Sequence, residues 1–167
     1  LETYALQAAL KIADPYIPIK YFPLNVEKYI CVCTSSGMES KNFDYWQETV
    51  DLINTHLKDV KIIQVGLPND VKLRGVIDLT GQTNFGQVNY IIKNCCLYLG
   101  NDSYGTHIAG WFQRPLVCLY SVNYKELSKP YWCDPDKTVL IESDRGGLKP
   151  SFSAQEAPKT INFIKPE

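Results

Sequence analysis

Between Tyr29 and Tyr120 the chain alternates short, near-continuous apolar runs with segments whose apolar residues recur at helical spacing, and nothing else in it constrains the fold as strongly. Runs of that kind suit strands buried on both faces, as in parallel sheets whose crossover helices cover both sides. The predicted order is strand 29–34, helix 45–57, strand 60–65, a short strand 76–79, helix 85–94, strand 96–99, a short helix 107–112 and strand 116–120. Repeated β-α-β units imply an α/β fold with a doubly wound parallel sheet. Beyond Tyr120 the regularity fades, and a strand at 138–141 and a turn at Arg145-Gly146-Gly147 are the features that remain.

Ahead of the first strand, Leu6, Ala9, Leu10 and Ala13 sit at helical spacing until Asp14-Pro15 stops the pattern, and a Pro-rich stretch reaches Pro23. The expected organisation is therefore a connecting helix and linker over 1–23, a ligand-binding domain over 24–123, and a C-terminal tail over 124–167 that packs on the domain or leaves it. The chain opens on Leu1 and closes on Ile164-Lys165-Pro166-Glu167 without tapering, so it is expected to be a segment of a longer protein.

Composition narrows the function classes. With 167 residues, 45% of them hydrophobic, there is apolar mass for one ordinary domain. The formal net charge of −1 comes from interleaved acidic and basic residues, so no sustained positive field exists to collect nucleic acid or anionic lipid. An anionic ligand must be held locally. No apolar run is long enough to span a bilayer. Most of Cys31, Cys33, Cys95, Cys96, Cys118 and Cys133 lie in apolar runs, where a thiol behaves as a small core hydrophobe, so they are expected to be reduced and the protein cytoplasmic. The Cys31-x-Cys33 and Cys95-Cys96 pairs lack the spacing of structural zinc sites, and no metal is expected.

In open α/β sheets ligands gather at the carboxyl ends of the strands, which directs attention to two loops. The first, residues 34–41, supplies Thr34, Ser35, Ser36, a flexible Gly37 and Lys41 just before a helix. Hydroxyls, backbone N–H groups and an ammonium at a helix start suit a diphosphate, although a merely solvated polar loop has the same composition. The second, residues 100–110, carries Asp102, Ser103, Gly105 and His107 and opens a helix of small residues that let backbone approach a ligand. Asp102 or Ser103 could instead cap that helix, the commoner role for such residues.

Taken in order, the loop with Lys41, the segment Asp78-Leu79-Thr80-Gly81-Gln82-Thr83 and the loop from Gly100 to Gly110 resemble the C-terminal domain of heptosyltransferase-like family 9 glycosyltransferases, over roughly residues 29–120. The family's Asp-Ser/Thr-Gly-x-x-His-Leu/Ile-Ala signature is matched by Asp102, Ser103, His107, Ile108 and Ala109, with Tyr104 at the usual glycine and Gly105 one residue later. The resemblance implies a Rossmann-like domain, the C-terminal half of a GT-B-type two-domain enzyme. Its donor, a nucleoside-diphosphate sugar, heptose among the candidates, would be bound by Thr34, Ser35, Ser36, Lys41, Thr83, Asp102, Ser103, Gly105 and His107. Asp70 is the residue offered for the ribose. The partner substrate would be a glycan or lipid-linked acceptor, held by an N-terminal domain that also carries the general base. No residue of this chain is assigned a catalytic role, and no cofactor is implied.

Two other readings compete. A non-catalytic binding or assembly module could keep the same scaffold, and the displaced glycine favours it. A dinucleotide-dependent enzyme is disfavoured because no G-x-G-x-x-G follows the first strand.

Overall fold

The computed structural model describes residues 1–147 and 158–166. Its strands are β1 (Tyr29–Cys33), β2 (Lys61–Val65), β3 (Ile77–Asp78), β4 (Leu97–Asn101), β5 (Leu116–Tyr120) and β6 (Thr138–Glu142). They form one six-stranded sheet in the order β3-β2-β1-β4-β5-β6, and every pair in it is parallel. The helices are α1 (Glu2–Gln7), α2 (Trp46–His56), α3 (Phe85–Asn94), α4 (Tyr104–Trp111) and α5 (Lys125–Ser128).

Period-two alternation along β1 builds both layers at once. Tyr29 and Cys31 point to one face, where they meet Ile91 and Ile92 of α3 and Ile108 and Ala109 of α4. Ile30 and Val32 point to the other, against Trp46 and Val50 of α2 and against Ile161, which lies in a short 3₁₀ turn at Thr160–Phe163. Trp46 and Val50 are four apart and so share the buried stripe of α2. The start of α3 is fixed by a capping box, in which the Asn84 side chain accepts from the Gln87 N–H and the Gln87 side chain accepts from the Asn84 N–H.

Three boundaries differ from expectation for a tertiary reason. The fourth strand runs on through Gly100 and Asn101, because their backbones pair with β1 and β5, and the helix after it begins at Tyr104 rather than His107. The N-terminal helix stops at Gln7 instead of continuing to Ala13. Ala9 takes a positive φ of 53°, and no residue of α1 is buried. Without a core to receive that apolar stripe, Leu6 and Leu10 stay exposed, and a short helix lacking tertiary support does not propagate. The expected turn at Gly146 and Gly147 is present, both residues in the left-handed region.

Connections leave β1 toward β2 on one side, whereas β4 pairs with β1 on the other. The carboxyl ends of β1 and β4 thus flank the point where the strand order reverses, the place at which open α/β sheets present a crevice.

Candidate functional site

That crevice is built from the two loops singled out in the sequence. The β1–β4 pairing carries Cys33 opposite Gly100, so residues 34–41 and 102–107 emerge side by side. Asn101, fully buried at the end of β4, donates from Nδ2 to the Thr34 carbonyl at 2.8 Å, which pins one loop root to the other. The Thr106 hydroxyl in turn donates to the Asn101 carbonyl at 2.8 Å. Within the first loop the Ser36 N–H donates to Asn42 Oδ1 at 2.7 Å and the Ser36 hydroxyl to the Met38 carbonyl at 2.9 Å. A 3₁₀ turn at Glu39–Lys41 follows, and its Ser40 carbonyl accepts from the Ser121 hydroxyl at 3.0 Å.

Lys41 is thereby aimed across the crevice. Its ammonium donates to Asp102 Oδ2 at 2.6 Å, and both side chains are largely shielded from solvent. Asn123 Nδ2 approaches the same carboxylate oxygen at 3.4 Å. Asp102 therefore does not cap α4, and Ser103, which stands at the N-cap position, makes no side-chain cap bond. Ser103 Oγ and Asn101 Oδ1 are instead buried polar atoms with no hydrogen-bond partner in the protein. An unpaired buried polar atom is costly, and these two stand together where β4 gives way to α4.

His107 lies on the first turn and a half of α4, facing the cleft with Lys41 and Asp102. The residue is exposed, yet the protein around the ring displaces enough water to hold the imidazole below its ordinary value; the Asp102 charge opposes this and the Lys41 charge adds to it. The cleft shared by Lys41, Asp102, His107 and Asn123 has a volume of about 890 Å³. A separate groove of about 300 Å³ joins Thr34 and Ser35 to Asp70 and Lys72. The Asp70 carboxylate turns back to accept the Leu67 N–H at 2.7 Å.

Gly105 is explained by what lies beneath it. The buried Tyr98 hydroxyl would stand 2.3 Å from a Cβ there and 2.6 Å from one at Gly100, so both positions exclude a side chain. Tyr104, at the family's usual glycine, leaves the cleft altogether. Its hydroxyl donates to Asn89 Oδ1 on α3 at 2.6 Å, and its ring meets Phe85 edge-to-face at 5.3 Å. Thr83 follows β3 at the far edge of the sheet and lines neither cleft, although its buried hydroxyl is also unpaired. In the same segment Asp78 accepts from the Thr80 N–H and hydroxyl and pairs with Lys72, which holds its carboxyl down to about 2.

Several supporting residues escaped the sequence reading. Gln64 and Asn101 are polar residues inside apolar strands, a signal that was available. Gln64, fully buried in β2, accepts the Leu73 N–H at 2.9 Å and donates to the Val71 carbonyl at 2.7 Å, shaping the loop that carries Asp70. Arg145 gave no such signal. Its Nη1 donates to the carbonyls of Ser121 and Asn123 at 3.2 Å each and pairs with Glu142, so the loop after β5 is held in place from β6.

Among the described residues no group of three or more His, Cys, Asp or Glu is arranged to hold a metal ion, and no helix is long and apolar enough to cross a membrane. All six cysteines are unpaired. Burial pushes the Cys95 and Cys118 thiols up to about 12.

The strand order, the reversal at β1 and β4 and the cation-bearing crevice there define a Rossmann-like α/β domain of the GT-B type. The chain belongs to glycosyltransferase family 9 (heptosyltransferase), whose profile matches residues 7–157. It is 31% identical over 86 residues to lipooligosaccharide heptosyltransferase 2 of Haemophilus influenzae, a match covering 52% of this chain and 24% of that protein. Among solved structures, the ADP-heptose LPS heptosyltransferase II of E. coli superposes with a TM-score of 0.65 at 16% identity, over 99% of this chain and 47% of that one. A family 9 glycosyltransferase of Veillonella parvula gives 0.61 at 15% identity, over 96% and 46%. The chain thus spans about half the length of these solved relatives.

Proposed function

We propose that the chain is the donor-binding half of a glycosyltransferase that moves a sugar from a nucleoside-diphosphate sugar to a glycan or lipid-linked acceptor. The observation that carries this reading is the Lys41–Asp102 pair at the meeting of β1 and β4, with His107 in the same cleft. An ammonium has three N–H donors, and Lys41 directs one to Asp102, which leaves the others for a diphosphate. The N–H groups at the start of α4 have no side-chain cap and add partial positive charge beside it. In that arrangement Lys41 and the helix start offset the negative charge that develops on the departing nucleoside diphosphate. Asp102, an acceptor-only carboxylate, suits hydroxyls of the sugar. Thr34, Ser35 and Asp70 share the neighbouring groove and suit the phosphates and ribose.

In this reading the chain is the C-terminal half of a two-domain enzyme, and the other half binds the acceptor and supplies the general base. ADP-heptose, the donor named for the E. coli relative, is the first donor to test. The unpaired thiols support a reducing compartment, the cytoplasm. Calorimetric titration with ADP and ADP-heptose tests the assignment. Charge-assisted contacts are worth about 1.5–3 kcal/mol each, so Lys41→Ala is expected to weaken both ligands roughly ten- to a hundredfold. Asp102→Ala is expected to weaken ADP-heptose more than ADP. If the folded protein binds no nucleoside diphosphate or nucleotide sugar, the non-catalytic assembly module becomes the better account.

A further inference from the structure

The cleft that holds Lys41, Asp102 and His107 continues past α5 to a wall whose residues have no part in the donor reading above. Leu127, Pro130, Tyr131 and Trp132 form one side of this extension, and Tyr4 of α1 lines it as well. The wall is stiff. Trp132 meets Trp111 of α4 edge-to-face at 5.1 Å and Tyr131 at 4.9 Å, and the Tyr131 hydroxyl donates to Glu2 Oε1 at 3.1 Å. It is also open to a ligand, with Tyr131 42% and Leu127 71% exposed. Glu126, Lys129 and Asn123 bring polar groups to the same cleft.

We infer that this wall is a saccharide subsite, in which a pyranose ring lies against Tyr131 and Trp132 while its hydroxyls meet Asn123, Glu126 and Lys129. A pyranose has an apolar C–H face and a hydroxyl rim, which is the pairing of surfaces the wall offers. Rigid aromatic rings supply contact area at little entropic cost, and each has a polar edge or neighbour to match the rim. An acyl chain would leave the polar groups unpaired. The inference rests on the donor reading for its anchor, because a diphosphate held at Lys41 places the uncharged part of the same molecule in this cleft. The ring is then the donor's own sugar or the terminal ring of an acceptor glycan, and the two share one chemistry.

Tyr131→Ala, Trp132→Ala and the conservative Trp132→Phe, each checked for an unchanged fold by circular dichroism, separate the cases. Binding of ADP and ADP-heptose is measured by calorimetry, and contact with free mono- and oligosaccharides by saturation-transfer NMR. For a donor-sugar subsite, Tyr131→Ala and Trp132→Ala weaken ADP-heptose about tenfold and leave ADP unchanged, with Trp132→Phe between wild type and Ala. For an acceptor subsite, ADP-heptose is unaffected and the saturation signal of free saccharides is lost in both Ala variants. Equal losses for ADP and ADP-heptose, or saccharide contacts indifferent to all three substitutions, overturn the inference. If wild-type protein binds neither nucleotide ligand, the donor reading fails, and the wall is then decided by the free-saccharide arm alone. Should Trp132→Ala not fold, Tyr131→Ala and Trp132→Phe carry the same comparisons.

Discussion

Lys41 and Asp102 are in contact and His107 lines the same cleft within reach of both charges, so the protonation of His107 reports on the other two. Its folded value lies below the ordinary 6.5, chiefly because the protein around the ring displaces part of its water. As pH falls toward 6.5 the unfolded chain therefore binds the proton first. Any stabilisation tied to the neutral ring is present above that value and is lost as pH drops below it. NMR titration of the His107 ring should give a midpoint below 6.5; Lys41→Ala should move it up by removing a repulsion, and Asp102→Ala down by removing an attraction. Bound ADP should also raise it, since a diphosphate adds negative charge nearby. A midpoint unmoved by all three changes would mean that His107 does not sense the site. The sequence placed His107 at a helix start but gave no access to this field, which exists because β1 and β4 pair.

At the scale of elements, one side chain shapes the loop between β2 and β3. Gln64 interrupts an otherwise apolar strand, and its amide satisfies Leu73 N–H and the Val71 carbonyl while approaching Thr34 Oγ1 at 3.4 Å. Gln64→Leu keeps the volume and hydrophobicity of a strand residue yet leaves a buried N–H and a carbonyl unpaired. Each costs about 1–3 kcal/mol, more than the extra apolar burial returns. The expected result is a destabilised protein whose Leu73 amide loses hydrogen-exchange protection ahead of the β2 amides. Uniform loss across the sheet would instead show that Gln64 supports the core as a whole. The strands and helices of this region were legible because they follow simple apolar periods. The loop was not, since a lone Gln in a strand says that something polar is buried and not what it holds.

For the whole molecule, the last described part of the tail closes the second face of the sheet. Lys159 pairs with Glu39 and Asp44, Asn162 donates to Asp44 Oδ2 at 2.6 Å, and Ile161 is fully buried among Ile30, Val32, Trp46 and Val50. Exposed ion pairs contribute at most about 1 kcal/mol, whereas emptying a buried isoleucine site costs about 2–5 kcal/mol. Ile161→Ala should therefore lower Tm by roughly 4 °C or more, and Lys159→Ala should change it little. Equal melting of Ile161→Ala and the parent would place this segment outside the cooperative core. Little in the sequence pointed to this closure, because Thr160–Phe163 has no periodicity to read and its partners lie more than a hundred residues away.

The amino-acid sequence by itself determined the α/β class, the order of strands and helices from Tyr29 to Tyr120, and which two loops would stand at the carboxyl ends of the first and fourth strands. These follow from local periodicity and from the geometry of parallel β-α-β units, which depend on residues near in sequence. Only the tertiary structure decided that Lys41 pairs with Asp102, that Tyr104 turns toward α3 while Gly105 rides over the Tyr98 hydroxyl, and that α1 ends at Gln7. It alone brought Tyr131 and Trp132 into the cleft of Lys41. Those outcomes depend on which surfaces meet after folding, and contacts between residues dozens of positions apart leave no period in the chain.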